Sequence, residues 1–300
     1  MATIATEPRS AEQTAERLLH ASAEHWFDPL TAIDWDAPLA PDRGCMPAHR
    51  VSLFGTELWD RMSSEQRLDL SRHEIASLAG VGIWLETILL QMLARHIYDR
   101  DPRTRHVQYA LTEIADECRH SVMFARMIEK LGCPNYRPQG LAHALGRLMK
   151  TVSAGPEIFA AALIAEEILD RMQREGMADA SLQPLVREVS RIHVVEEARH
   201  VRYAREALIR VMPRLGPLQR ERVRFATAAS ACVISSQLIH PGVYAAVGLD
   251  PTEARRAAAT NPHHRATLAW AAERLAAFFT EVGVLGGPST ALWRRAGLLS

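Results

Sequence analysis

The sequence has no excess charge of either sign: 35 Lys and Arg face 35 Asp and Glu in 300 residues. A balanced chain carries no electrostatic footprint for nucleic acid or for an anionic membrane, so neither is expected as a partner. Cysteine is scarce. Cys45, Cys118, Cys133 and Cys232 show no Cys-x-x-Cys spacing, which argues against structural zinc and a disulfide framework and fits a reducing, cytoplasmic setting. The first ten residues lack the apolar core of a secretory signal. The longest apolar stretch, about 225–239, is interrupted by Ser and Thr and is short for a bilayer span. Strand-type alternation is rare, and no linker divides the chain.

What remains is helix. Apolar residues recur at helical spacing between Pro and Gly stops such as Gly132-Cys133-Pro134, Met212-Pro213 and His240-Pro241-Gly242. The expected helices cover 10–24, short pieces near Glu57 and Ser64, then 78–98, 103–131, 156–175, 182–211, 217–238, 252–260 and 262–281. An irregular, Pro-rich wrap over 28–47 is pinned by Trp26, Phe27 and Trp35.

Within this helical pattern one set of residues occurs twice. Adding 80 to Glu86, Glu117 and His120 gives Glu166, Glu197 and His200. The surroundings repeat as well: Asp116-Glu117-Cys118-Arg119-His120 and Glu196-Glu197-Ala198-Arg199-His200 both read acid-Glu-x-Arg-His. A Glu on one helix and a Glu-x-x-His on the next, twice over, directs four carboxylates and two imidazoles at one point in a helical bundle. Such a donor set holds two iron or manganese ions. The halves otherwise differ, so they form two helix pairs related by an approximate two-fold inside one bundle rather than a solenoid. The expected architecture is all-α: an N-terminal helix and wrap over 1–50, then a single ferritin-like unit over 51–300 with additional C-terminal helices.

An isolated Glu-x-x-His is ordinary on a solvated helix face. Here Ala110, Leu111, Ile114, Val122, Met123, Ala125 and Met127 offer apolar surface around Glu117 and His120. Glu86 lies in Val81-Gly82-Ile83-Trp84-Leu85-Glu86-Thr87-Ile88, where an unpaired ionised carboxylate would cost several kcal/mol and a metal ion would remove that cost. Glu166 has a rival in Glu167, but Glu167 can pair with Arg171 four residues on. The symmetry breaks at His193, which stands one turn before Glu197 where the first half has Glu113. His193 is either a third imidazole in the cluster or a core histidine. Glu113 is an outer group or an eighth donor. Asp116 and Glu196 are candidate acceptors for imidazole N–H groups, or else surface acids paired with Arg. Gly80 and Gly82 either leave room for substrate or mark a helix start. Trp84 and Tyr244 are candidate pocket residues. His73, His106, His263 and His264 are expected at the surface.

The pattern Glu86, Glu117-x-x-His120, Glu166, His193-x-x-x-Glu197-x-x-His200 resembles the ligand set of AurF-like di-iron N-oxygenases, the p-aminobenzoate N-oxygenase family. The additional His193 is the distinctive part, and the segment beginning His240-Pro241-Gly242-Val243-Tyr244 is similar too. The likeness spans about 78–281. It implies an O₂-activating enzyme with two iron ions cycling between Fe²⁺ and Fe³⁺, manganese being the alternative. It further implies a homodimer, an external electron donor and a small-molecule amine, of the aryl class, oxidised to hydroxylamine, nitroso or nitro product. Two other readings use the same frame: a hydroxylase or desaturase acting on C–H bonds, and a ferroxidase or iron-binding protein. The turn and a half before Glu86 has no Arg or Lys to anchor a substrate carboxylate.

Overall fold

A computed structural model describes residues 10–138 and 140–299, and no strand occurs among them. The first nine residues of the expected N-terminal segment lie outside the described residues. In chain order the helices are α1 (Ala11–Glu24), α2 (Pro29–Ala32), α3 (Glu57–Arg61), α4 (Ser64–Ile97), α5 (Arg105–Lys130), α6 (Gly140–Val152) and α7 (Pro156–Ala178). They continue with α8 (Pro184–Val211), α9 (Pro217–Gln237), α10 (Gly242–Ala246), α11 (Pro251–Thr260), α12 (Pro262–Glu281) and α13 (Thr290–Arg295).

Local chemistry sets the ends. Ser10 with Gln13, and Ser63 with Gln66, form reciprocal capping boxes that satisfy orphan N–H groups at the starts of α1 and α4. Thr104 caps α5, and Gly132, at φ +66°, ends it. Proline stands at the first turn of α7, α8, α9, α11 and α12, where its missing N–H costs nothing. The expected helix over 78–98 and the piece near Ser64 are one helix of 34 residues, because neither Gly nor Pro interrupts the chain between Ser64 and Ala79. At 1.5 Å per residue α4 is about 50 Å long. The expectation missed α6. Its Leu141, Leu145, Leu148 and Val152 recur at helical spacing and remain largely exposed, while Gly146 faces the core.

Four helices make the centre. α4 pairs with α5 and α7 with α8, and the two hairpins face each other through α5–α8 and α4–α7 contacts. α1 lies over α5 and α8; α9 and α12 cover α7. One helix, α4, is long and apolar enough to cross a membrane by length and composition. Two thirds of its most apolar window is buried inside the protein, as in a core helix, so the apolar maximum lies here and not at 225–239.

Several smaller expectations need correction. Glu167 pairs with Arg205 from α8, and Arg171 reaches Glu273 on α12, so the pairing within α7 is not made. His73 is buried and shares a 2.9 Å hydrogen bond with the Tyr136 hydroxyl. Gly80 lies mid-helix, where a Cβ would come within 2.6 Å of the Tyr136 carbonyl oxygen. It permits backbone to approach backbone, and neither marks a helix start nor leaves space. The buried face of α5 is formed by Met123, Phe124 and Met127, while Leu111 and Val122 are half exposed.

Candidate metal centre

Each hairpin brings its Glu and its Glu-x-x-His to the same depth. Glu86 projects from α4, Glu117 and His120 from α5, Glu166 from α7, and His193, Glu197 and His200 from α8; all seven are buried. Their donor atoms form overlapping groups within 4.8 Å: Glu86 with His120 and His193, Glu117 with His120 and Glu197, and Glu166 with His193 and Glu197. A fourth group joins Glu113 to Glu117 and His200. His120 Nδ1 lies 3.0 Å from Glu197 Oε1 and 3.3 Å from Glu117 Oε2. His200 Nδ1 makes the matching approaches, 3.0 Å to Glu197 and 3.3 Å to Glu117. His193 Nε2 faces Glu86 at 3.5 Å, Glu197 at 3.8 Å and Glu166 at 3.9 Å.

The outer nitrogens are held crosswise. His120 Nε2 lies 2.8 Å from Glu196 of α8, and His200 Nε2 lies 3.2 Å from Asp116 of α5. A carboxylate only accepts, so each imidazole donates outward from Nε2 and directs the Nδ1 lone pair at the cluster. Arg119 in turn donates to Asp116 and approaches Glu196, and Arg199 lies 3.6 Å from Asp116 and 3.8 Å from Glu196. This explains the repeated Arg of acid-Glu-x-Arg-His: Asp116 and Glu196 are buried, not surface acids, and they face an imidazole and arginines at once. The N-terminal wrap joins the same layer, because the Phe27 backbone N–H donates to Glu196 at 3.0 Å.

The break in symmetry also has an outer partner. His193 Nδ1 lies 2.8 Å from Gln173 Oε1, so the ring donates there and presents Nε2 inward. Ser121 donates to Glu86 Oε2 at 2.7 Å. Glu86 Oε1, Glu117 Oε1 and His193 Nε2 are buried with no hydrogen-bond partner, as is Glu113 Oε2. Burying several carboxylates with open lone pairs costs several kcal/mol per ion unless a cation answers them. Burial raises the Glu86 and Glu166 carboxyls above the ordinary range and pushes Glu113 up to about 8. Burial also opposes charge on Glu197, but His200, His120 and His193 around it win, and its pKa falls well below the usual value. His120 and His200 are held well above the ordinary imidazole value: burial opposes their charge, and Glu117, Glu196 and Glu197 around His120, with Glu197 beside His200, outweigh it.

The donor set fits a pair of divalent ions. Four carboxylates balance two dications, three neutral imidazoles complete the set, and carboxylate with imidazole suits iron or manganese. The orphaned inward atoms are where such ions would be expected to bind.

A family model described as P-aminobenzoate N-oxygenase AurF matches residues 8–283. The chain belongs to the AurF family. Among curated proteins, uncharacterized proteins of Mycobacterium tuberculosis and Mycobacterium bovis are similar, 32% identical over 215 residues. That alignment covers 68% of this chain and 62% of theirs, so the match spans less than two thirds of the relatives' length. Among solved structures, two mutants of an R2-like ligand-binding oxidase with reconstituted Mn/Fe cofactor align at TM-score 0.51 and 15% identity. They cover 95% of this chain and 96% of theirs, and they show the ferritin-like fold.

Two expected pocket residues lie away from the centre. Trp84 packs on α6, where its ring fills the space a Cβ on Gly146 would need. The Tyr244 hydroxyl is 2.9 Å from Ser52 Oγ, which bonds the buried Glu74. Gly82, by contrast, does face a cavity beside Phe124.

Proposed function

We propose that this protein is a non-heme di-iron oxygenase that uses O₂ to oxidise an amine to a hydroxylamine, with nitroso and nitro compounds as further products. Glu86, Glu117, His120, Glu166, His193, Glu197 and His200 hold the two ions, with manganese as the alternative metal. The observation that carries the reading is the third imidazole, His193, braced by Gln173 and aimed at the same point as the six repeated donors in an AurF-family chain.

Two bound iron ions supply O₂ binding and reversible one-electron steps between Fe²⁺ and Fe³⁺. The first oxidation balances as amine plus O₂ plus two electrons and two protons giving hydroxylamine plus water, the electrons coming from an external donor. The chain contributes three things. Asp116, Glu196 and Gln173 fix the imidazoles, so that little reorganisation remains when the reaction starts. Burial of all seven donors limits the access of water to them. In the metal-free chain burial raises the Glu113 carboxyl to about 8, and its place beside Glu117 and His200 makes it the candidate proton-holding group. The reading further expects a homodimer in the cytoplasm.

The test is metal analysis of the purified protein, then anaerobic reduction and rapid mixing with O₂ and a panel of arylamines. Two irons per chain and conversion of an amine to its hydroxylamine, nitroso or nitro product support the proposal. A two-iron protein that oxidises no amine overturns it. The largely aliphatic cavity beside His193 favours a second reading, oxidation of C–H bonds, which product analysis with hydrocarbon substrates separates from the first.

A further inference from the structure

The approximate two-fold gives the metal centre two poles, and they are not alike. At one pole α4, α5, α7 and α8 each contribute residues one or two turns beyond their candidate ligands: Gly82, Phe124, Leu169 with Gln173, and Val189 with Ser190. The positions that the 80-residue offset maps onto them at the other pole include Ala162, Ala204, Leu89, Tyr109 and Ala110, all buried core. The first pole opens into a narrow cavity of about 50 Å³ that continues outward to Arg50 on the wrap. Its inner wall is the His193 support itself, since Gln173 bonds that ring and the Phe124 ring packs at a tilt against it, centroids 4.9 Å apart.

The cavity is narrow, so a ligand as bulky as an arylamine enters as side chains shift. Met46, Met127 and Met172 line it, and methionine is the unbranched apolar side chain that adapts most readily. The remaining wall is chiefly aliphatic. Arg50 is the only charged residue of the lining, and it is already answered. Its Nε lies 2.7 Å from Glu175 Oε2 and its Nη2 3.3 Å from Oε1, while the guanidinium stacks 3.7 Å over Trp270. His49 Nε2 shares Glu175 Oε1 at 2.9 Å.

We propose that this chamber is the substrate site, that it takes an uncharged amine with an apolar body, and that Glu175 excludes carboxylated amines by occupying Arg50. The proposal rests on the N-oxygenase reading for the word amine; the choice between neutral and anionic ligand stands on the chamber alone. A substrate carboxylate at the mouth has to displace Glu175 or lie beside it, and like charges in a partly desolvated site repel.

The test is calorimetric binding of 4-ethylaniline and p-aminobenzoate to the iron-loaded protein kept anaerobic, so that affinity is read without turnover. The wild type is expected to prefer 4-ethylaniline by at least about tenfold, which is 1.4 kcal/mol. Glu175→Gln keeps an acceptor for Arg50 and removes the charge, and is expected to strengthen p-aminobenzoate about tenfold while leaving 4-ethylaniline unchanged. An unchanged preference in that variant overturns the role of Glu175, and tighter binding of p-aminobenzoate to the wild type overturns the substrate class. Ala79→Leu narrows the chamber; if it retains full metal content and binds 4-ethylaniline as tightly as the wild type, the chamber is not the site. Binding as expected with no oxidation of the bound amine leaves the chamber standing and removes the N-oxygenase reading.

Discussion

The two hairpins of the candidate metal centre share six candidate donors and differ in what surrounds them. In the α4–α5 half, position 113 is a glutamate whose Oε2 has no hydrogen-bond partner, and the offset pairs it with His193. In the α7–α8 half, position 193 is a histidine held by Gln173. Glu86 receives a hydrogen bond from Ser121, while the position matching Ser121 in the second half is Val201. The shared positions face inward and carry the donor chemistry. The unshared ones lie a turn away, and one pole carries a cavity where the other is packed core. On the proposed reading, a repeated frame binds metal symmetrically and still presents substrate to one side.

The sharpest way to break the comparison is to remove a shared donor from each half. Glu117→Ala and Glu197→Ala are each expected to drop metal content from two ions per chain to below one, and the loss of a partner from a buried charge cluster costs roughly 3–5 kcal/mol in the chain that remains. Metal analysis and denaturant unfolding check both; a variant that keeps two ions would remove its residue from the centre. The unshared pair is expected to respond unequally. His193→Ala lowers amine oxidation and metal affinity together, whereas Glu113→Gln, which mimics a protonated carboxyl, retains two ions and slows only the proton-dependent step, seen as a changed pH profile.

The crosswise braces give a smaller, symmetric effect. Asp116→Asn and Glu196→Gln should each weaken metal binding by about 10–100-fold, because an amide does not fix an imidazole as a carboxylate does. Competition with a chelator measures this, and an effect in one half only would contradict the two-fold. For the metal-free protein the pH dependence has a definite sign. Glu113 and Glu74 are raised from 4.5 to about 8 and about 7, and His120 and His200 are raised as well. Each contributes stability that is present below its unfolded value and lost as pH rises through its folded one. Stability should therefore fall between pH 5 and 8, whereas Glu197 and Asp116, both lowered, lose their contribution only in acid. Thermal unfolding across that range checks the sign, and bound metal should reverse it for the cluster residues. The smallest effect concerns the two glycines of α4. Gly80→Ala should destabilise by about 1–3 kcal/mol through overpacking against the Tyr136 carbonyl, and Gly82→Ala, 3.4 Å from the Phe124 ring, by less.

The helices and the candidate donors were legible because both obey local rules. Apolar spacing, capping residues and proline positions announce a helix wherever it packs, and an offset of 80 identifies Glu86 with Glu166 and the two Glu-x-x-His turns whatever lies between them. Ionisable groups in an apolar run are conspicuous because burial without a partner is so costly. What needed the tertiary structure are the relations between segments distant in sequence. Glu196 serves His120 and Asp116 serves His200, pairings across 76 and 84 residues that a motif read on its own helix assigns to neighbours. Gln173 reaches His193, and Arg50 from the wrap closes a cavity whose other walls come from four helices. Periodicity fixes which face of a helix is turned inward; which helix it then meets, and what side chain waits there, is decided only when the chain packs.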